Sequence, residues 1–406
     1  MSGSTTIEAT VRPGAKSRQK AALALLGEVF SKDDPAYFRL HQTNDPAWDL
    51  NQTRLMEVDG QIVAHLWVAD RVMRYGDGRI RFGGVADVAT APPHRRHGYC
   101  GRLLDGAIKM MQASDQPLSV LFTDKPGVYA SRGWHVVPCT WVEARVPAAP
   151  VENAGGHGVR PFEEADLPAV MQTYAEVTAR HAGPLDRPEE LWRAMQRWLP
   201  YNHGGVQLFF DVVVQVRTVI GYALSAIRGS ELLILDAGIE SAGLGPALLR
   251  AWQERAHQHG VTRITGRLPH THPMFDVLAA KADGRAVTKR EIMLRLNSLH
   301  GVMAGIQPEL ERRRRRAAPL PGPTFALEVD GQSVRIETPI AKVVLGVPAG
   351  SDPAVRLSSS DFLHLLMGLD SGRAAVRRQK LPPPVQVYME RLFPNTGYTY
   401  WLADAF

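Results

Sequence analysis

The chain has few cysteines and no long apolar runs. Only Cys100 and Cys139 occur among its 406 residues, and neither lies in a CxxC-type pair that would suggest a zinc site. Two cysteines build no disulfide framework, which is typical of a reducing compartment. No apolar run approaches the roughly 18 residues of a membrane span, and residues 1–20 lack the apolar segment of a secretory signal. These absences predict a cytoplasmic protein with no membrane partner.

The excess of positive charge is small. Lys and Arg number 47 against 41 Asp and Glu, a formal net charge of +6, and such a balance can indicate nucleic acid, anionic lipid or an anionic cofactor. Much of the excess lies in Arg312–Arg316, which is most simply interpreted as a solvated helix end or linker. No aromatic residues interleave the run and no zinc-finger or RRM signature is present, so we expect no nucleic-acid partner.

Histidines are the remaining candidates for metal ligands. His257, His259, His270 and His272 lie within a short stretch of the chain. The His270-Thr-His272 pair has no third ligand at a supporting spacing, so we expect no metal.

The first region predicts a helix followed by antiparallel strands. A helical pattern runs from about Gln19 to Phe30, and Asp59-Gly60 and Asp77-Gly78 mark two hairpins. Leu104, Ile108 and Met111 then recur with helical spacing. The expected strands are 56–58, 62–68, 71–75, 79–90, 118–122 and 134–137, with a short helix at 128–134.

A second cycle follows a linker at 147–158, which is rich in Pro, Ala and Gly. We expect helices at 163–174, 188–198 and 244–259 and strands at 208–215, 219–227, 232–237 and 261–266. Because this order repeats the first region, it indicates a duplicated fold. A third region has a predicted helix at 299–316, a hairpin at Asp330-Gly331 and a helix at 359–368. The predicted domains are therefore residues 1–147, 148–295 and 296–406.

The most informative segment is Val88–Gly101, which reads Val-Ala-Thr-Ala-Pro-Pro-His-Arg-Arg-His-Gly-Tyr-Cys-Gly. The prolines stop a strand, and the turn after them opens a helix. Backbone N–H groups, a helix N-terminus and two guanidinium groups are thereby gathered at one point, which suits a diphosphate. The second cycle has Ser241–Gly245 in the equivalent place and lacks the arginines. We therefore expect a single cofactor site and a structural role for the second copy.

This segment resembles motif A of the GCN5-related N-acetyltransferases, which holds the pyrophosphate of acetyl-CoA. That motif has the pattern Arg/Gln-x-x-Gly-x-Gly/Ala, and here Cys100 stands where Gly or Ala is usual. The whole layout resembles the enhanced-intracellular-survival family of acetyltransferases, with further marks at Tyr129–Trp134 and the terminal Phe406.

The resemblance implies an α+β (mixed α/β) fold class with three domains. Tandem acetyltransferase-fold domains, the second degenerate, would be followed by a domain like sterol carrier protein. We expect this last domain to deliver the terminal carboxylate rather than to carry lipid. Related proteins are hexamers, so the resemblance also implies a homo-oligomer.

By the same resemblance, the cosubstrate is acetyl-CoA. Val88, Ala89 and Thr90 would run beside the pantetheine arm and pair with its amides as an added strand does. In the pyrophosphate turn, arginines supply charge-assisted donors and glycines permit close backbone approach; a pair of surface arginines is the alternative. Asp124 and Lys125 would lie near the cofactor. The implied turn residues are Arg95, Arg96, His97, Gly98, Tyr99, Cys100 and Gly101.

Acetyl transfer to an amine needs a proton for the departing thiolate and a base for the amine. The resemblance assigns the first role to Tyr129, although transfer from a phenol of pKa about 10 to a thiol of pKa about 8.5 is uphill by about 2 kcal/mol. A core aromatic residue is the alternative. The second role falls to the α-carboxylate of Phe406, a weak base that would act through water or by orienting the amine. A disordered tail is the alternative there.

Two functions stay open. The first is an acetyl-CoA-dependent N-acetyltransferase that acts on a primary amine of an aminoglycoside, a polyamine or a lysine side chain. The second is a non-catalytic acyl-CoA or lipid-binding protein that keeps the fold for binding.

Overall fold

The computed structural model describes residues 9–30, 35–153, 155–204, 206–316 and 321–405. No helix within these ranges is long and apolar enough to cross a membrane.

Antiparallel strands lead into a helix in the first region, as predicted. The strands are β1 (Ala9–Pro13), β2 (Thr53–Val58), β3 (Gln61–Tyr75), β4 (Gly78–Thr90), β5 (Leu118–Phe122) and β6 (His135–Arg145). The helices are α1 (Lys16–Val29), α2 (Pro35–Asn44), α3 (Tyr99–Ala113) and α4 (Gly127–Ala130).

The prediction of separate strands at 62–68 and 71–75 was wrong, because β3 runs unbroken through both. Asp70 and Arg71, where the two predicted strands meet, stay in β3 because each has a charged partner. Arg81 of β4 donates to Asp70 at 2.7 Å, and Arg71 pairs with the buried carboxylate of Asp45. The turn between β3 and β4 is Gly76-Asp77, one residue before the predicted Asp77-Gly78.

The second region repeats this order. Its strands are β7 (Gly158–Pro161), β8 (Ala182–Leu185), β9 (Gln207–Gln215), β10 (Thr218–Arg228), β11 (Glu231–Ile239), β12 (Arg263–Arg267) and β13 (Arg285–Leu296). Its helices are α5 (Leu167–Thr178), α6 (Glu189–Trp198), α7 (Gly245–Gln258) and α8 (Pro273–Lys281). In both regions an antiparallel pair leads through a helix to a parallel strand: β4 pairs in parallel with β5, and β11 with β12.

The two regions exchange their last strands. β13, which the sequence did not predict, lies between β5 and β6 and is antiparallel to both. β6 in turn pairs with β12 of the second region. One sheet therefore runs through both regions in the order β1-β2-β3-β4-β5-β13-β6-β12-β11-β10-β9-β7.

The third region is a separate small sheet with helices. Its strands β14 (Thr324–Val329), β15 (Gln332–Glu337), β16 (Val344–Gly346) and β17 (Ala354–Leu357) are ordered β16-β15-β14-β17. Its helices are α9 (Leu299–Arg315), α10 (Ser359–Leu366), α11 (Gly372–Val376) and α12 (Pro383–Leu392). The likeness of this region to a sterol carrier stays a prediction.

The interpretation of Arg312–Arg316 as a solvated helix end was wrong for its first three residues. Arg312 and Arg313 both donate to the fully buried carboxylate of Glu309, at 2.6 Å. Arg314 is 1% exposed, and its guanidinium lies over the Tyr388 ring. The buried acid Glu309 and the Tyr388 ring compensate the hydration that these arginines lose. The contact between Arg314 and Tyr388 joins α9 to α12.

Candidate active site

A cleft opens between β4 and β5 because the two strands diverge. They pair only where Phe82–Gly84 face Leu118–Val120. Beyond this point the strands separate, and a cavity of about 650 Å³ occupies the space at their carboxyl ends. Within the described residues no strand pairs with β4 on that side beyond Gly84, and the Thr90 carbonyl oxygen there accepts a hydrogen bond from Arg95 Nε at 3.2 Å. An edge of this kind suits an extended ligand.

A bulge in β4 shapes the wall of this cleft. The register between β3 and β4 shifts between His65 and Trp67, which adds one residue to β4 near Asp87. Asp87 has a positive φ of 53°, and the His65 ring is hydrogen-bonded to its carbonyl oxygen at 2.8 Å. The bulge turns Asp87 and Val88 toward the cavity.

The turn before α3 has the conformation that an anion site needs. Gly98 is in the left-handed region with φ 76° and forms the N-cap of α3, which favours glycine because no Cβ is present. The first hydrogen bond of the helix runs from Arg102 N–H to Gly98 O. The preceding N–H groups of that turn have no partner within the helix and are available to a ligand. Arg95 and Arg96 beside them are exposed.

Most of the predicted site residues lie together around this one cavity. Those lining it are Val88, Thr90, Arg95, Arg96, Gly98, Tyr99, Cys100, Asp124, Lys125 and Tyr129. Three predicted residues are absent from the lining. Ala89 points to the opposite, buried face of β4, since side chains alternate along a strand. His97 is exposed and stacks on Tyr99 with 5.6 Å between ring centroids.

Gly101 is the third of these residues, and it faces another side chain. A Cβ built on Gly101 would lie 2.2 Å from the guanidinium of Arg132. Arg132 donates to Gly101 O at 3.1 Å and to Asp105 at 2.8 Å. A Cβ here would displace the end of the Arg132 side chain, which links α3 to the segment after α4.

Tyr129 lies in the cavity wall and is 9% exposed. Burial raises the pKa of its phenol to about 12, and the neighbouring Cys100 and Asp124 add to this rise. The Thr123 side chain opposes the rise. Tyr129 is thus held in its protonated form, the form required of a proton donor, and the same rise makes the phenol a weaker acid.

Thr123 is a site residue that the sequence analysis missed. Its hydroxyl oxygen accepts the N–H of Lys125 at 2.9 Å, and its own N–H is bonded to Glu291 O of β13 at 2.8 Å. The available signal was its position directly after a predicted strand and directly before Asp124 and Lys125, which are predicted to lie near the cofactor.

Cys100 lines the cavity but is not set up as a nucleophile. Burial raises the pKa of its thiol above the usual value, although the Arg132 charge opposes this. The thiolate is therefore disfavoured, in agreement with the expectation that Cys100 is a small residue of the turn.

Aromatic rings line another part of the cavity and were also missed. They come from the end of α1, from α2 and from the end of β5: Phe30, Tyr37, Phe38 and Phe122. Phe38 packs on Phe30 and Tyr37 with ring centroids 5.4 and 5.2 Å away. This wall offers apolar contact to whatever enters from that side.

The C-terminal tail reaches the same cavity. Ala405 lines it together with Tyr129. Phe406, the predicted base, lies outside the described residues. The tail before it is well packed: Tyr400 and Trp401 are 2% and 1% exposed, and the Tyr400 ring meets Phe122 edge-on at 5.2 Å.

Among the histidines considered as metal ligands, His272 has a structural role. His272 is buried, with one ring nitrogen bonded to Ala237 O at 3.1 Å and the other to Met274 N–H. Within the described ranges, no group of three or more His, Cys, Asp and Glu side chains is arranged to hold a metal ion.

Comparison with known proteins identifies the fold. Residues 10–137 match the family model described as an acetyltransferase (GNAT) domain, a class that uses an acyl-CoA cosubstrate. A GCN5-related N-acetyltransferase from Anabaena variabilis is similar at 17% identity and TM-score 0.75, over 98% of this chain and 100% of that chain. One from Kribbella flavida is similar at 17% and 0.72, over 100% of both chains.

Eis1 from Mycobacterium abscessus is similar at 14% identity and TM-score 0.65, over 98% of this chain and 100% of that chain. Comparison with curated protein sequences gives no match. The predictions of an acetyltransferase domain and of a mixed α/β fold are confirmed.

Proposed function

We propose that this chain, an N-acetyltransferase whose GNAT domain spans residues 10–137, transfers the acetyl group of acetyl-CoA directly to a primary amine. The acceptor classes are those expected from the sequence: an aminoglycoside, a polyamine or a lysine side chain. One observation carries the proposal. Arg95, Arg96 and Gly98 of the turn before α3, together with Tyr129 and Ala405 of the C-terminal tail, line a single cavity.

The cofactor end of the site follows from the open cleft. The diphosphate would accept hydrogen bonds from the N–H groups of the first turn of α3 and from the guanidinium groups of Arg95 and Arg96. The pantetheine arm would pair with the exposed edge of β4 near Val88 and Thr90. This arrangement directs the thioester toward the end of the cleft that holds Tyr129.

The reaction involves two proton transfers, and these assign one role to Tyr129 and one to Phe406. The amine nitrogen attacks the thioester carbonyl carbon, the carbon–sulfur bond breaks, and the thiolate leaves. Tyr129 gives its phenolic proton to the sulfur as that bond breaks. The proposed acceptor of the proton that the amine loses is the α-carboxylate of Phe406, directly or through a water. The tyrosinate then regains a proton from this carboxylic acid or from solvent, which restores both groups. Only a neutral amine has the lone pair for attack, so an acceptor that arrives as an ammonium is attracted by the carboxylate and first loses a proton to solvent.

An acceptor panel with two variants tests the proposal. Thiol release from acetyl-CoA is measured with an aminoglycoside, a polyamine and a lysine peptide. Tyr129→Phe and a chain extended by three alanines after Phe406 are expected to lose about 100-fold or more in kcat. Calorimetry should show unchanged acetyl-CoA affinity in both.

Two outcomes would contradict the proposal. Full turnover in both variants removes the assigned acid and base. Tight acetyl-CoA binding without turnover on any amine favours the non-catalytic acyl-CoA-binding alternative.

A further inference from the structure

The second copy has a cleft equivalent to the cofactor cleft. β11 and β12 pair in parallel only where Glu231–Ile234 face Arg263–Gly266. After these residues the two strands separate, as β4 and β5 do in the first copy. The turn of this second copy, Ser241–Gly245, lacks arginines, and this absence predicts a structural role for the copy.

The C-terminal tail lies along this second cleft. At the β12 side, Arg267 donates to Tyr400 O at 3.1 Å. Near the β11 side, the Trp401 ring meets His272 edge-on at 5.5 Å, and His272 is bonded to Ala237 O of β11. One segment of the tail is therefore in contact with residues at both strands that border this cleft.

A buried charge cluster fixes the last part of the tail. Arg187, between β8 and α6, donates to Asp404 at 2.6 Å and to Asp236 of β11 at 2.5 Å. All three side chains are fully buried. The Arg187 guanidinium lies 4.4 Å from the Tyr174 ring centroid and 4.6 Å from that of Trp192.

Most members of this cluster come from the second copy. Arg187, Asp236, Tyr174 and Trp192 all belong to residues 148–295, and Asp404 is the one member from the tail. Asp404 is followed directly by Ala405, which lines the cavity of the first copy. A fixed Asp404 therefore limits where the end of the chain can lie.

We propose that the second copy is a dock for the C-terminal tail, with Arg187 as the catch that holds Asp404 and so aims the end of the chain at Tyr129. In this arrangement Asp404 and Arg187 are positioning residues, and they act on the reaction only through the tail. The catalytic part of the inference rests on the proposed function, whereas the docking part does not.

The variant Asp404→Asn tests the catch because it keeps the side-chain shape and removes the charge. Native protein is digested with carboxypeptidase and followed by mass spectrometry, and we expect the tail to be released about tenfold faster than in the wild type. In steady-state kinetics with the best amine of the panel, kcat should fall up to about 100-fold. KM for acetyl-CoA should stay unchanged, because the cofactor cleft is built by other elements.

Asp211→Asn is the matched control. Asp211 of β9 is buried and accepts two hydrogen bonds from Arg255 of α7, at 2.7 and 3.0 Å, within the same copy. It should lower the melting temperature without releasing the tail or changing kcat. Arg187→Lys retains the charge and serves as the second probe if Asp404→Asn does not fold.

The outcomes separate this inference from the proposed function. A tail that stays protected in Asp404→Asn, with normal kcat, overturns the catch. Faster release with unchanged kcat supports the dock and overturns the catalytic use of Phe406. Equal effects of Asp211→Asn and Asp404→Asn would show that general destabilisation is responsible, and would also overturn the catch.

Discussion

The Thr123 hydroxyl oxygen accepts the Lys125 N–H at 2.9 Å, and the Thr123 N–H is bonded to Glu291 O of β13 at 2.8 Å. The two bonds tie the segment after β5 to the neighbouring strand. That segment carries Asp124 and Lys125, which line the cavity together with Tyr129.

Replacing Thr123 should therefore disturb the segment that carries Asp124 and Lys125. Thr123→Val keeps the shape and leaves the Lys125 N–H without its acceptor, so we expect kcat to fall up to about tenfold. Thr123→Ser keeps the hydroxyl and should retain most of the activity. Steady-state thiol release measures both, and equal losses in the two variants would count against a role for the Lys125 hydrogen bond.

The pH profile should show no alkaline limb from Tyr129. Burial raises the pKa of this phenol to about 12, so its protonated form persists to about pH 11. An acceptor amine of pKa about 10.4 becomes reactive as pH rises, and kcat/KM with a lysine peptide should increase from about pH 6 to about pH 10. A descending limb near pH 9 that disappears in Tyr129→Phe would contradict the raised pKa.

Gly98 should be needed for conformation and for cofactor access. Its φ of 76° makes Gly98→Ala cost about 1–2 kcal/mol of folding free energy, and the new methyl group would stand where the diphosphate approaches. Gly229→Ala is the matched control, since Gly229 also has positive φ and nothing within 4 Å of a built Cβ. Both variants should lose similar stability in urea titrations. A matching loss of acetyl-CoA affinity in both would refute the role of Gly98 in binding.

The buried acid of α9 should matter strongly for stability. Burial alone would raise the pKa of Glu309. The hydrogen bonds and charges of Arg312 and Arg313 outweigh this effect and lower that pKa. Its stabilising contribution is thus present above the unfolded-state pKa and lost as pH falls through the lower folded-state value. At neutral pH, Glu309→Gln should cost about 3–5 kcal/mol of unfolding free energy.

The exposed pair Arg250–Glu254 provides the comparison for Glu309. Both of its side chains are more than half exposed, so Glu254→Gln should cost about 1 kcal/mol or less. Chemical denaturation of both variants measures the difference. Similar small losses would mean that the Arg312 and Arg313 contacts do not stabilise the native state.

Local signals predicted the part of the fold that local physics determines. Asp59-Gly60 forms its hairpin with positive φ at both residues, which such turn residues adopt readily, and the second hairpin turns at Gly76-Asp77 with positive φ at Gly76. Leu104 and Met111 lie on the buried face of α3 because helical period and burial coincide. β13 was missed because its partners, β5 and β6, are distant in sequence and its residues do not alternate between apolar and polar.

The candidate site divides in the same way. Arg95, Arg96 and Gly98 were found because one short segment carries the whole turn. Gly101 faces Arg132 rather than the cavity, which only the packing of α4 against α3 determines. The Arg187–Asp404 pair joins residues more than 200 positions apart, and no local pattern marks either member.

The exchange of β6 and β13 also affects how the chain folds during its synthesis. The edge of β5 is closed by a strand that begins about 160 residues after β5 ends. At a synthesis rate of about 5–20 residues per second, that edge stays bare on the ribosome for about 8–30 seconds. A fragment ending near residue 147 would keep it bare permanently and offer it to other chains. The first copy therefore depends on a strand of the second for a closed sheet edge.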